Sequence, residues 1–289
     1  MFGVWLGLAL AVHDAANPAQ FGALFEQRVA RLEMEHGGGH AATLAAIYDY
    51  ALFLKSTGQK EGAERLLRRL LASAVEPVQA AGLLEEVAGL NAREAPALLE
   101  KALAIREKAA PGVELARLYA RTAAMIEERD PDAAIARYRS ALRIYEKALG
   151  MEDPRIAIAC NDLGLALESR ERYQESEALY RRALAIQEKA LGPRHPEVGV
   201  TLNNLAGALG ATSRTRLAEP LLRRAVAILE SSLGPRHLRT ATAMGNLGDL
   251  LAATGRPVEG GRLQEQAIAV FEAAGDFASV ADLRSRLRR

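Results

Sequence analysis

A leucine–glycine pair returns along this chain at a constant interval, and no other feature limits the possible folds as strongly. Leu149, Leu191 and Leu233 are each followed by Gly, and successive pairs lie 42 residues apart. The segments RSAL, RRAL and RRAV, which begin at residues 139, 181 and 223, keep the same interval. An interval that stays constant through three units predicts an array of structural repeats rather than a single globular core.

The apolar residues within each repeat have the spacing of two helices. In the repeat 192–233 they recur every three or four residues over Leu202–Leu209 and again over Ala218–Leu229, with the polar segment GATSRTR between. This is the periodicity of two amphipathic helices joined by a turn. Small residues recur where the two helices must approach closely, at Gly164, Ala206 and Gly248 in the first helix and at Ala183, Ala225 and Ala267 in the second.

The order of large and small residues in these units resembles the tetratricopeptide repeat. The family pattern has a large residue, Leu, a small residue and an aromatic in the first helix, then Ala, an aromatic and Ala in the second. In the last repeat, Gly260 and Gln264 depart from this pattern, so we expect that repeat to pack less well. The repeat 150–191 fills the family positions with Cys160, Leu163, Gly164, Leu167, Ser176, Tyr180 and Ala183.

The long interval most resembles the kinesin light chain class of these repeats, which is also widespread in bacterial proteins. The resemblance implies an all-α fold, a right-handed superhelix (α-solenoid) of about six helix–turn–helix repeats with flanking capping helices. A C-terminal capping helix is predicted over 276–289, where Val280, Leu283 and Leu287 have helical spacing. The six repeats are placed at 41–74, 75–110, 111–149, 150–191, 192–233 and 234–275.

Residues 1–40 hold an apolar segment followed by a predicted lead helix. The run FGVWLGLALAV (2–12) is shorter than the roughly 20 residues that span a bilayer. It resembles the apolar core of a signal peptide, but the basic residues that usually precede such a core are missing. The alternative is a first helix packed on the next one. Both remain open, so the sequence is compatible with a cytoplasmic or an exported protein.

Composition excludes several classes of partner and site. The formal net charge is only +1, which gives no reason to expect a nucleic acid or an anionic membrane as partner. The single cysteine, Cys160, cannot form an internal disulfide or a zinc site of several thiolates. The sequence does not indicate an oligomeric state.

The histidines are the obvious candidates for chemistry, and each has a simpler interpretation. His36 and His40 bracket three glycines without a further ligand cluster, which favours a linker over a metal site. His195 precedes Pro196 where Asp153 precedes Pro154 in the neighbouring repeat, so it is interpreted as a helix N-cap. Cys160 takes a packing position and is predicted to be a buried small hydrophobe. We therefore expect no enzymatic activity, no cofactor and no bound metal.

By family resemblance, the first helices line a concave groove that takes an extended peptide or a partner's helix. An amide carries donors and an acceptor, so asparagines there could bind a peptide backbone whatever its side chains. The alternative is that these asparagines hydrogen-bond neighbouring helices. The groove also lacks the two-lysine pattern that resembling carboxylate clamps use for C-terminal peptide ends. The candidate groove residues are Asn161, Asp162, Asn203, Asn204, Asn246, Asp249, Tyr48 and Arg121.

The sequence thus predicts a non-catalytic scaffold or adaptor that binds an unidentified protein or peptide. The alternative is a regulatory sensor, in which a peptide or small ligand changes the shape of the superhelix.

Overall fold

A computed structural model describes residues 18–73, 76–109 and 112–287, and every regular element within them is an α-helix. The described residues form two compact units, one within 18–109 and one within 112–287. The 14 helices of the described residues are α1 Pro18–His36, α2 Ala41–Ser56, α3 Lys60–Ala72, α4 Pro77–Leu90, α5 Ala95–Lys108, α6 Val113–Ile126, α7 Pro131–Leu149, α8 Pro154–Glu168, α9 Tyr173–Leu191, α10 Pro196–Ala211, α11 Thr215–Leu233, α12 Leu238–Ala253, α13 Pro257–Ala274 and α14 Phe277–Leu287.

The first unit contains α1 to α5, and each of these helices packs on the next. Aromatic side chains join the lead helix to the first repeat, since the ring of Phe25 stacks on those of Tyr50 and Phe53. The first helix of the second repeat is α4, where Leu83 and Val87 are buried. The contacts of Phe25 with Tyr50 and Phe53 extend the core of the first repeat onto the lead helix.

The second unit contains α6 to α14 and repeats one pairing four times. The helices α6, α8, α10 and α12 are the first helices of their repeats, and each packs on the second helix that follows it. Among them, α10 also contacts both α8 and α12, so neighbouring first helices lie side by side. The last helix, α14, packs on α13 and α12 and buries Val280 and Leu283. This arrangement gives the unit one layer of first helices and one layer of second helices.

The last repeat packs tightly, and the expectation that it would pack less well is wrong. Gly248 and Gly260 bring the backbones of α12 and α13 together, because a Cβ atom added at Gly260 would lie 2.4 Å from the carbonyl oxygen of Gly248. Gln264 is only 2% exposed and donates a hydrogen bond of 2.5 Å to Asp249. The departures from the family pattern thus replace an aromatic contact by a closer backbone approach.

The leucine–glycine connectors end one helix and prepare the next. Gly150, Gly192 and Gly234 all have a φ of 80–90°, a conformation that favours glycine. A few residues later, the side chains of Asp153, His195 and His237 each accept a hydrogen bond from a backbone N–H of the following helix, at 2.9, 3.2 and 3.1 Å. The interpretation of His195 as an N-cap is confirmed.

The apolar run 2–12 and the rest of residues 1–17 lie outside the described residues, so their proposed roles stay predictions. Within the part of the chain that is described, no helix combines the length and the apolar character needed to cross a bilayer.

Candidate functional site

The predicted groove residues of the second unit lie on its layer of first helices. Asn161 and Asp162 belong to α8, Asn203 and Asn204 to α10, and Asn246 and Asp249 to α12, and all six are partly buried. Because the repeat length is 42 residues, Asp162, Asn204 and Asn246 occupy equivalent positions. We call the surface that carries Ile158, Asp162, Leu165, Asn204 and Asn246 the first-helix face.

The asparagines of α10 and α12 form a hydrogen-bonded chain. Nδ2 of Asn246 donates to Oδ1 of Asn203 over 2.9 Å, and Nδ2 of Asn203 donates to Oδ1 of Asn204 over 3.4 Å. Within the described residues, neither Nδ2 of Asn204 nor Oδ1 of Asn246 has a hydrogen-bond partner in the protein. The two ends of this amide chain therefore keep a donor and an acceptor that a ligand could use.

Asn161 is not part of that chain and has a structural role instead. Its Nδ2 donates to Oγ1 of Thr201 over 2.8 Å, and the Thr201 hydroxyl donates to Oε1 of Gln187 over 2.7 Å. Thr201 and Gln187 are buried, so this network joins α8, α10 and α9 in the interior. The Asn161 amide nitrogen therefore hydrogen-bonds a neighbouring helix, as in the alternative interpretation.

Asp249 also has its partners within the protein. One carboxylate oxygen accepts from Gln264, and the other accepts from Nη1 of Arg286 in the capping helix over 2.7 Å. Asp249 therefore helps to hold α12, α13 and α14 together.

Asp162 differs from Asp249 because no basic side chain of the described residues pairs with it. It lies near the carboxylate of Glu127, which follows α6 and accepts a hydrogen bond of 3.1 Å from the hydroxyl of Tyr138. Burial, and then the negative charge of Glu127, raise the pKa of Asp162 to about 6. Among the described residues, the first-helix face thus carries a carboxylate without a basic partner.

Two exposed apolar side chains flank Asp162, and sequence reasoning missed both. Ile158 is 54% exposed and Leu165 is 47% exposed, one helical turn before and after the aspartate. Their signal in the sequence is that neither occupies one of the packing positions Cys160, Leu163 and Leu167 of the same helix. Exposed large apolar residues that share one helix face with polar groups are typical of a binding surface.

Tyr48 and Arg121 are the other predicted groove residues. Arg121 lies on α6 of the second unit and is partly buried. Tyr48 belongs to the first unit, where burial and the nearby Glu86 and Asp49 raise the pKa of its hydroxyl. It lines a mostly apolar cavity of about 440 Å³ between α2, α3 and α4, together with Ala41, Leu44, Ala45, Leu70, Gln79, Gly82 and Leu83.

The cysteine and the two histidines that were considered for chemistry make packing and capping contacts within the protein. Cys160 is fully buried, and burial raises the pKa of its thiol to about 11, so the thiol stays protonated. The rings of His36 and His40 lie 4.8 Å apart, and Nδ1 of His40 accepts from the N–H of Ala42 at the start of α2. In residues 18–73, 76–109 and 112–287, no group of three or more His, Cys, Asp or Glu side chains is arranged to hold a metal ion.

The family comparison matches the region that contains this surface. A tetratricopeptide repeat model matches residues 155–231 and 217–273, which include α8, α10 and α12. Residues 155–273 of the chain are tetratricopeptide repeats. A search of curated protein sequences gives no significant match.

Solved structures of other repeat proteins are similar to this chain. Apo RapI aligns with a TM-score of 0.64 and 14% identity over 91% of this chain and 78% of its own. A Rap protein in complex with competence and sporulation factor aligns with a TM-score of 0.52 and 15% identity, over 90% and 78%. A kinesin light chain-like repeat protein from Podosopora anserina aligns with a TM-score of 0.43 and 24% identity, over 81% and 98%. The similarity to RapI shows a shared all-helical solenoid fold in which helices pack in sequential pairs.

Proposed function

We propose that this protein is a non-catalytic scaffold or adaptor that binds an extended peptide segment of a partner protein on its first-helix face. Tetratricopeptide repeats typically mediate protein or peptide binding, and this supports the general class. The observation that carries the proposal is the exposure of Ile158 and Leu165 on α8, in the same layer of first helices as the amide chain of α10 and α12. Apolar contacts would supply affinity, and the amides would bind the peptide backbone.

The layer of second helices is a less suitable docking surface, because many of its charges pair with one another. Arg139 of α7 pairs with Glu175 of α9 at 3.0 Å, and Arg223 of α11 pairs with Glu259 of α13 at 2.8 Å. A partner on that layer would have to compete with these ion pairs. This contrast favours the first-helix face.

A selection from random peptides tests the proposal on the full chain. Peptides of about ten residues are suitable, since an extended chain rises about 3.3 Å per residue and neighbouring helices lie about 8–10 Å apart. Peptides selected on the wild-type protein should lose binding to Leu165→Asp, which places a charge in the apolar contact. The matched control is Leu217→Asp, because Leu217 is 54% exposed on the second helix α11.

The two variants separate the outcomes. Selected peptides that bind both variants equally well would place the binding surface elsewhere and contradict the proposal. Loss with Leu165→Asp alone supports it.

A sensor of a small ligand is the second candidate function, and the cavity beside Tyr48 favours it. Its mostly apolar lining and one phenol hydroxyl suit a ligand with an apolar body and one polar group. The Rap protein with competence and sporulation factor bound has a similar fold, which is compatible with a regulatory ligand. Small-angle scattering of the full chain with and without a bound ligand would separate the candidates, because a rigid scaffold should not change its profile.

A further inference from the structure

The negative charge on the first-helix face is concentrated at one repeat. At the positions equivalent to Asp162, the next two repeats have Asn204 and Asn246, which are neutral. Two other carboxylates of the first helices, Glu197 and Asp249, are paired with Arg239 and Arg286. Asp162 and the neighbouring Glu127 therefore bring two carboxylates together with no basic partner among the described residues.

The unsatisfied polar atoms nearby are also mainly acceptors. Oδ1 of Asn161 and Oε1 of Glu168 are buried without a hydrogen-bond donor. Tyr180 is fully buried with its hydroxyl beside the Glu168 carboxyl, yet that hydroxyl is not in hydrogen-bonding geometry. All three atoms are enclosed by the protein, so a ligand on the first-helix face would meet Asp162 and Glu127 rather than these atoms.

Apolar contacts and charge occur together on α8. Ile158 and Leu165 are exposed one turn on either side of Asp162, so a ligand that places a cation at the aspartate would lay its neighbouring residues over both apolar side chains. A Lys or Arg side chain has this combination, because its apolar stem can cover a hydrophobic surface while its charged end reaches a carboxylate.

We propose that Asp162 and Glu127, with Ile158 and Leu165, form a subsite for one Lys or Arg side chain flanked by apolar residues in the bound peptide. This inference rests on the proposed peptide-binding function and specifies the partner's chemistry. It predicts a basic and apolar segment rather than an acidic one.

The test uses random peptides of about ten residues selected on the wild-type full chain, the length set by the helix spacing. The selected peptides should be enriched in Lys or Arg beside apolar residues. Replacing that basic residue by Gln should weaken binding about tenfold, as expected for the loss of one charge-assisted hydrogen bond, and replacing it by Glu should weaken binding further.

Two protein variants test whether Asp162 causes the preference for a basic residue. Asp162→Asn keeps the shape of the side chain and should reduce the preference for the Lys form over the Gln form to the part that Glu127 contributes. Glu265→Gln removes the same charge from an exposed position of α13, and it should keep the wild-type preference for the Lys form.

Each outcome bears on a different part of the proposal. Peptides that depend on Leu165 but show no preference for a basic residue, or a preference that Asp162→Asn leaves unchanged, would overturn the subsite and leave peptide binding in place. A selection that yields no peptide dependent on Leu165 would overturn both.

Discussion

An asparagine in a repeat can serve a ligand or a neighbouring helix, and the difference lies in hydrogen bonds that the sequence does not display. Asn161 and Asn203 occupy equivalent positions, 42 residues apart. Nevertheless, Nδ2 of Asn161 bonds a buried threonine, whereas Nδ2 of Asn203 bonds a second asparagine of the face. The partner of Asn161 is Thr201, 40 residues further along the chain. The equivalent residue in the next repeat is Ala243, which has no side-chain acceptor for Asn203.

The buried carboxyls of α8 give a prediction about pH and stability. Burial raises the pKa of Asp162 from 3.8 to about 6 and that of Glu168 from 4.5 to about 7. Between these values the folded protein binds more protons than the unfolded chain, so the free energy of unfolding should rise as the pH falls from 7 to 5. A pKa shift of one unit corresponds to about 1.4 kcal/mol, so the free energy of unfolding should rise by about 1–3 kcal/mol. Urea unfolding at several pH values measures it.

Two substitutions serve as controls for this rise. Asp162→Asn should remove part of it, whereas the exposed Glu265→Gln should leave it unchanged. Carboxyls with a lowered pKa, such as Glu177 and Glu219, act in the opposite direction but titrate only below about pH 4.5. A free energy of unfolding that stays constant or falls between pH 7 and 5 would contradict the assignment.

At the scale of the element, much of the fold could be predicted from the repeat interval. The interval located the connectors, and the connectors located the glycines with positive φ and the N-caps, since both depend on local backbone geometry. The small residues predicted where helices meet include Gly164, which touches the ring of Tyr180, and Gly248, which touches Gly260. Packing in the last repeat was predicted wrongly, because the family pattern does not include a backbone approach between two glycines.

The candidate site could be predicted only in part. The register placed Asn204, Asn246 and Asp162 on one layer of helices, because equivalent positions of a repeat share a face. The pattern could not show that Asp249 pairs with Arg286, since that contact spans 37 residues and depends on how the capping helix docks. It also left Ile158 and Leu165 unnoticed, because an apolar residue in a helix is first assumed to be buried.

Two helical glycines in this unit should respond to alanine in opposite ways. Gly260→Ala would force α12 and α13 apart, since its Cβ would lie 2.4 Å from a backbone oxygen, so it should lower the free energy of unfolding by about 1–3 kcal/mol. Gly207 is exposed in α10 with no other atom near a Cβ, so Gly207→Ala should raise that free energy by about 1 kcal/mol. Guanidinium unfolding of both variants measures the difference. An equal effect would mean that close helix approach does not determine the response.

At the scale of the whole molecule, the two helix layers of the second unit have different surfaces. Ion pairs between successive second helices, such as Arg224 with Glu188 at 2.7 Å, involve charges that serve the array itself. Exposed pairs of this kind stabilise by only about 0–1 kcal/mol each, so most of the stability must come from apolar burial between neighbouring helices. The first-helix face keeps an unbalanced carboxylate and exposed apolar side chains, which is why binding is assigned to that layer.

Stability in such an array is expected to be local, because each repeat contacts mainly its neighbours. Leu283 of the capping helix is 5% exposed and packs with Met244 and Phe271, so Leu283→Ala should lower the free energy of local unfolding by about 2–5 kcal/mol. Amide hydrogen exchange should accelerate in α12 to α14 and stay at the wild-type rate in α6 to α8. Leu287→Ala is the matched control, since Leu287 is 39% exposed and should change stability by less than about 0.5 kcal/mol. Faster exchange spread evenly over α6 to α14 would show that the second unit unfolds as one cooperative block.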